Sequence, residues 1–185
     1  MRHICLATVL LALLSQACLI PRESVPTVDE LGPRDLSAWR IAFAKGLLHF
    51  RVPPGYMPWT DSRFIVRYDS SERTLRGTGC RAILISQGDN PVLNALVNSS
   101  RDMRVYLDHD ETISDELVRV IVVFDGSGRI SVPHGYACNS YVVSGTWKSR
   151  DLVFTATTRD MSELTFLLAS LRSVELDDDP DHALQ

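Results

Sequence analysis

Val118-Arg119-Val120-Ile121-Val122-Val123-Phe124 is the strongest β-type run of the 185-residue chain. β-Branched and aromatic residues fill all of its positions except that of Arg119, and such residues favour strands. Because the run is too apolar for an exposed edge, we expect it inside a sheet. Asp125-Gly126-Ser127-Gly128 then predicts a hairpin that returns as a strand over residues 129–132.

Further strands are predicted on both sides of this run. Residues 48–52 alternate between apolar and polar side chains, and residues 64–68 and 82–85 are short β-type runs. Residues 141–143 and 152–154 form a second hairpin. The sheet is therefore expected to be largely antiparallel.

Three helices complete the predicted order. A short helix runs from Leu36 to near Gly46, and a second begins at Asp89-Asn90-Pro91. The last helix is capped by Asp160, and Glu163 completes a capping box. Its apolar face is formed by Met161, Leu164, Leu167, Leu168 and Leu171. This order of elements predicts an α+β fold, a single domain whose sheet is flanked by helices.

The first seventeen residues have the composition of a secretory signal peptide. Met1-Arg2-His3 is basic, residues 4–14 carry no charge, and Ser15-Gln16-Ala17 places small residues before Cys18. The apolar core is too short for a membrane span, which needs about 20 residues. We therefore expect residues 1–17 to be removed and the protein to be exported.

Leu14-Ser15-Gln16-Ala17-Cys18 resembles the cleavage box of bacterial lipoprotein precursors. The resemblance implies that Cys18 is lipidated. Pro21, Pro26 and Pro33, which lie among scattered charges, predict that residues 18–35 form a flexible tether. Leu19 resembles the residue found in lipoproteins sent to the outer membrane, so we expect a periplasmic domain with a lipid anchor in that membrane. The alternative is ordinary cleavage before a Cys18 that stays free or becomes oxidised.

The mature chain divides into a globular domain, residues 36–174, and an acidic, disordered tail, residues 175–185. Loss of the signal peptide removes one basic residue, which leaves 18 Lys and Arg against 23 Asp and Glu. Five of these acids follow Arg172, so the charge of the rest is balanced. The net charge of −4 for the whole chain argues against nucleic acid as a partner, because phosphate neutralisation needs a basic surface.

Cys80 and Cys138 are expected to form a disulfide in an oxidising compartment. The bridge would close a loop of about 59 residues and stabilise the fold by roughly 4 kcal/mol before strain. A metal site built from Cys80, His134 and Cys138 is the alternative, but it lacks a Cys-x-x-Cys pair and a fourth ligand. We expect no metal and no cofactor.

No sequence motif identifies a reaction. Asp108-His109-Asp110-Glu111 is rich in ligand atoms but lacks the spacing of a calcium loop, and we interpret it as a solvated turn. His134 could act as a general base, although a histidine between Pro133 and Gly135 is more often structural. The chain has no Gly-x-Ser-x-Gly, phosphate-binding glycine loop or His-Glu-x-x-His. We therefore assign no catalytic residue.

Two segments resemble one known group of folds. Phe50-Arg51-Val52-Pro53-Pro54-Gly55-Tyr56, a strand that breaks into a Pro-Gly turn, resembles the opening of the Mog1/PsbP/DcrB-like sandwich group. Leu167-Leu168-Ala169-Ser170-Leu171-Arg172 resembles its final helix. The resemblance implies a sheet flanked by helices and a binding or assembly role, because that group mostly lacks catalysis.

These observations favour a non-catalytic envelope lipoprotein that binds another protein, either an immunity or inhibitor protein or an assembly factor. Aromatic residues and arginine dominate protein interfaces, so we predict binding residues Tyr56, Met57 and Trp59; turn packing is the alternative explanation for these three. Two other functions remain open: a carrier of a small ligand or lipid, and a hydrolase whose site is assembled from dispersed residues.

Overall fold

The computed structural model describes residues 36–44, 46–70, 80–98, 103–126 and 139–177. They all belong to one compact unit, Gly32–Gln185. Their fold is α+β, with antiparallel sheets and two α-helices, and the predicted fold class is confirmed.

The described strands form two sheets. The elements are β1 (Arg40–Ala44), β2 (Leu48–Val52), β3 (Tyr56–Pro58), β4 (Val66–Ser70), β5 (Ala82–Gln87), α1 (Pro91–Asn98), β6 (Met103–Ile113), β7 (Glu116–Asp125), β8 (Ser140–Trp147), β9 (Leu152–Thr158), α2 (Leu164–Arg172) and β10 (Glu175–Leu176). Seven strands make one sheet in the order β3-β4-β5-β9-β8-β7-β6, three make another in the order β1-β2-β10, and every pair is antiparallel. Single 3-10 turns, Lys148–Arg150 and Met161–Glu163, precede β9 and α2.

β7 contains the apolar run and lies inside the larger sheet, between β6 and β8. It follows β6 through a two-residue turn, Ser114 and Asp115, whose φ angles are 54° and 59°. Positive φ at both central residues is typical of the tight turns that join hairpin strands. The strand predicted over residues 129–132 lies outside the described residues, whereas the predicted hairpin of β8 and β9 is confirmed.

One face of the larger sheet, here called the α2 face, packs on α2 and the small sheet. Phe50 of β2 meets Tyr68 and Phe154 edge-on, with ring centroids 6.2 and 6.0 Å apart, an arrangement that aromatic quadrupoles favour. Leu171 of α2 lies over Gly145 of β8, where an added Cβ would come within 2.5 Å of a Leu171 methyl group. The helix can approach this closely because residue 145 has no side chain.

The opposite face, here called the α1 face, packs on α1. The Asn90 side-chain oxygen accepts a hydrogen bond from the Val92 N–H at 2.8 Å, as the helix-start signal predicts. Its amide nitrogen donates to Ser144 Oγ at 2.9 Å and to Thr146 Oγ1 at 2.7 Å, which fixes the start of the helix to β8. The buried Val92 packs against apolar side chains of β7 and β8: Ile121, Val123 and Val142.

The helix predicted from Leu36 to Gly46 is wrong, because Arg40–Ala44 forms β1. Ala42 and Ala44 point inward and Ile41 and Phe43 point outward, so the burial has the two-residue period of a strand. At the other end of the chain, the predicted tail begins too early: Glu175 and Leu176 pair with β2 as β10.

Two other local predictions are also wrong. Residues 108–111 are part of β6 rather than a turn. Glu163 does not complete a capping box: its carboxylate binds Arg81 and the Thr158 hydroxyl, and the Asp160 N–H donates to Thr158 Oγ1 instead. Asp160 does cap the helical turn, since its side chain accepts from the Ser162 N–H at 2.9 Å.

Gly145→Ala tests the contact between β8 and α2. We expect the new methyl group to push Leu171 aside and to lower the free energy of unfolding by about 2 kcal/mol, measured by urea denaturation followed by circular dichroism. In a Leu171→Ala background, which opens space at this point, the same change should cost less than about 1 kcal/mol. An equal cost in both backgrounds would contradict the close approach.

Candidate functional site

Two of the three predicted binding residues share an exposed surface at the β3 end of the larger sheet. Met57 and Trp59 are two residues apart on an extended segment, so both side chains point to the α1 face. They are 50% and 44% exposed. Tyr56 instead lies buried on the α2 face, where burial raises its pKa to about 12. The structure therefore does not bring Tyr56 to this surface.

A buried arginine lies beneath the Trp59 ring. The guanidinium carbon of Arg67 is 5.5 Å from the ring centroid, within the range of a cation–π contact. The backbone N–H of Trp59 also donates a hydrogen bond to the backbone carbonyl oxygen of Arg67 at 2.9 Å. Arg67 of β4 thus contacts both the backbone and the ring of Trp59.

Two carboxylates compensate the charge of Arg67. Its Nε and Nη2 donate to the two oxygens of Asp69 at 2.9 and 2.6 Å, and its Nη1 donates to Asp61 at 2.7 Å. A buried charge needs such partners, because burial without them costs several kcal/mol. The fork of an arginine side chain matches a carboxylate geometrically, which a lysine cannot do.

Asp61 also binds a second arginine, at the surface. Arg63 donates to it through Nε at 3.0 Å and Nη2 at 2.8 Å. These side-chain hydrogen bonds hold the pKa of Asp61 well below its usual range. A carboxylate with a lowered pKa contributes stability at neutral pH that is lost as the pH falls through the lowered value. We call residues 59, 61, 63, 67 and 69 the Arg67 cluster; its two arginines balance its two aspartates.

The same face contains the described cysteine. Cys80 is buried and disulfide-bonded, and it packs with Ala82, Leu84 and the partly buried Phe64. Leu84 lies directly across from Arg67 in the register of β4 and β5. Cys138, the predicted partner of Cys80, lies outside the described residues, so the pairing of these two cysteines stays a prediction.

The other residues singled out in the sequence form no site in the described part of the chain. Cys18 and His134 lie outside it. In β6, Asp108 accepts hydrogen bonds from Arg119 at 2.9 and 3.0 Å, and Glu111 binds Arg172. Among the described residues, no three His, Cys, Asp or Glu side chains are placed to hold a metal ion. No described helix is both long and apolar enough to cross a membrane.

Sequence reasoning missed Arg67 and its two carboxylates. A signal was present: within residues 64–68, Val66 and Tyr68 occupy one face of the strand, which leaves Arg67 on the other face of a strand that is largely apolar. An arginine at such a position requires acidic partners. Which acids they are depends on the pairing of β4 and on the path of the loop that contains Asp61.

Comparison with known proteins gives a similarity of fold only. Neither a protein-family model nor a curated protein matches the chain. The solution structure of cyanobacterial PsbP (CyanoP) from Synechocystis sp. PCC 6803 is similar to it, at a TM-score of 0.44 and 10% identity, over 73% of this chain and 89% of that one. PsbP is among the names of the group that residues 50–56 and 167–172 resemble. At this level the similarity carries no argument about family or function.

Arg67→Lys tests whether the hydrogen bonds of the Arg67 guanidinium group hold the Arg67 cluster together. A lysine keeps the charge but loses the paired hydrogen bonds to Asp69, so we expect a loss of about 2 kcal/mol in the free energy of unfolding. Arg63→Lys is the matched control: Arg63 binds the same Asp61 from the surface, where solvent screens the ion pair, so this change should cost clearly less than Arg67→Lys. Both are measured by urea denaturation, and equal losses would contradict the central role of Arg67.

Proposed function

We propose that the exported protein binds another protein of the cell envelope and catalyses no reaction. The observation that carries the proposal is the pair Met57 and Trp59, two large side chains exposed side by side, with the Trp59 ring seated on Arg67. Methionine, arginine and aromatic residues are enriched in protein interfaces. Tryptophan and arginine are also among the residues that contribute most to binding.

The fixed position of the Trp59 side chain supports a role in recognition. Binding restricts side chains, and each one that must be newly ordered costs about 0.5–1.5 kcal/mol. The Trp59 backbone and ring are both held by Arg67 before any partner arrives. Trp59 can therefore enter a pocket of a partner at a low entropic cost.

The charges of the Arg67 cluster indicate what kind of partner surface would fit. The carboxylates of Asp61 and Asp69 are already bound to arginine, so a partner need not neutralise them. We propose that the partner offers an apolar pocket for Trp59 and Met57. Such a surface suits an inhibitor or immunity protein that covers a toxin, and it equally suits an assembly factor.

The proposed setting is the periplasm, with the domain held at the outer membrane by a lipid on Cys18. Residues 18–35 would then be the tether between the lipid and the folded domain. This placement rests on the signal and cleavage box of the sequence, since residues 1–35 lie outside the described part of the chain.

The binding surface is tested by capture from envelope extract. We expect Trp59→Ala to weaken capture of the partner by about 2 kcal/mol, or roughly thirtyfold in affinity, and Met57→Ala to have a smaller effect. The control is Leu117→Ala, because Leu117 is 68% exposed on β7, near the opposite edge of the sheet. Circular dichroism checks that each variant is folded. Equal capture by all variants would reject this surface, and failure to capture any specific protein would reject the function.

The anchor is tested by Cys18→Ser. We expect this variant to move from the membrane fraction to the soluble periplasmic fraction and to lose palmitate labelling, because the acylated thiol is absent. Cys5→Ser is the control, since Cys5 lies within the signal peptide and should leave both properties unchanged. Absence of labelling in the unmodified protein would contradict lipidation but not export.

A further inference from the structure

The described strands leave four sheet edges, and three of them are protected against pairing with another chain. β3 contains Pro58, which has no N–H to donate. β6 has a register shift between Val105 and Leu107 and charged residues along its length. β10 has only two residues and begins with Glu175. Proline, bulges, charge and short length are the usual means by which edges are protected.

β1 is the fourth edge and has neither a proline nor a bulge. Its five residues pair with β2 without a register shift, contain no proline and carry one charge, at Arg40. Among the described strands, β2 is its single neighbour, and no described strand pairs with its other edge. Ile41 and Phe43 project from the outer face, 41% and 73% exposed. An open edge with exposed apolar side chains is suited to pairing with another strand.

We infer that β1 pairs antiparallel with β1 of a second copy of this chain, about a two-fold axis at Ala42. The sequence Arg-Ile-Ala-Phe-Ala is self-complementary in this register: Ile41 of each copy lies across from Phe43 of the other. This register pairs all five residues and keeps Ala42 and Ala44 on the inner faces of both copies. Cross-strand pairs of an aromatic and a β-branched residue stabilise sheets.

The surroundings of Phe43 are compatible with this pairing. On the β2 side, its ring lies 5.9 Å from that of His49, measured between centroids. His49 is in turn 2.9 Å from the Glu175 carboxylate, so the inner flank of Phe43 is already occupied. Its outer flank, toward the open edge, is the part that the second copy would cover.

Repulsion between like charges does not oppose formation of the dimer. The joined sheet would run β10-β2-β1-β1-β2-β10, which places the two Glu175 residues five strand spacings, or about 24 Å, apart. That distance is well beyond the screening length of about 8 Å at physiological ionic strength. The two Arg40 residues lie at opposite ends of the paired strands. One pair of five-residue strands is a small interface, so the dimer should be reversible and depend on concentration.

Self-association is tested on the exported full chain carrying Cys18→Ser, which cannot be acylated. Sedimentation equilibrium should show a monomer–dimer equilibrium, and Phe43→Lys should weaken it by about tenfold or more because it places a charge opposite Ile41. Leu117→Lys, an equally exposed substitution on the other sheet, should leave it unchanged. A monomer at all concentrations, or a dimer that Phe43→Lys does not weaken, would overturn the proposal.

The register is tested by mixing two variants of the Cys18→Ser chain, each of which carries one added cysteine besides Cys80 and Cys138. Chains carrying Ile41→Cys and chains carrying Phe43→Cys should form a mixed disulfide on mild oxidation, because these positions face each other at the distance that a disulfide requires. Each variant alone should crosslink more slowly, since equal positions lie diagonally across the axis. Equal rates for the mixture and for the separate variants would overturn the two-fold register at Ala42.

Discussion

β9 lies at the centre of the larger sheet and buries all seven of its side chains, and a strand buried on both faces requires cover above and below. On one face the larger sheet is covered by α2 and the small sheet, and Leu171 of the helix packs closely against Gly145. On the other face α1 covers β7 and β8, and Asn90 ties its start to β8. The two helices therefore cover opposite faces of the larger sheet.

Elements whose signals are local could be predicted from the sequence. The apolar spacing of α2 and the run in β7 are contained within single segments, and both were correctly assigned. β1 was mistaken for a helix because Ala42 and Ala44, its inward residues, are small, while Ile41 and Phe43, its outward residues, are apolar. That pattern hides the alternation of a strand. The charges of residues 108–111 suggested a turn because an edge strand tolerates charge on both faces.

The Arg67 cluster could not be predicted, since strand pairing and a loop bring its members together. Met57 and Trp59 were selected for their residue types, and the structure adds the reason that Trp59 is ordered: the buried guanidinium beneath it. Arg67 needs both of its carboxylates to be tolerated at a buried position. The exposed aromatic surface and the buried charges are thus one unit, and a change in either one affects the other.

The pairing of β10 with β2 also constrains when the chain can fold. Glu175 lies across from His49, 126 residues earlier in the sequence, so the small sheet closes only after the end of the chain has been made. Contacts between such distant segments slow folding, because the intervening chain must first be ordered. A polypeptide whose small sheet closes late cannot complete its fold while it is synthesised. That delay would suit the export proposed above, in which the chain crosses a membrane in an extended state and folds on the far side.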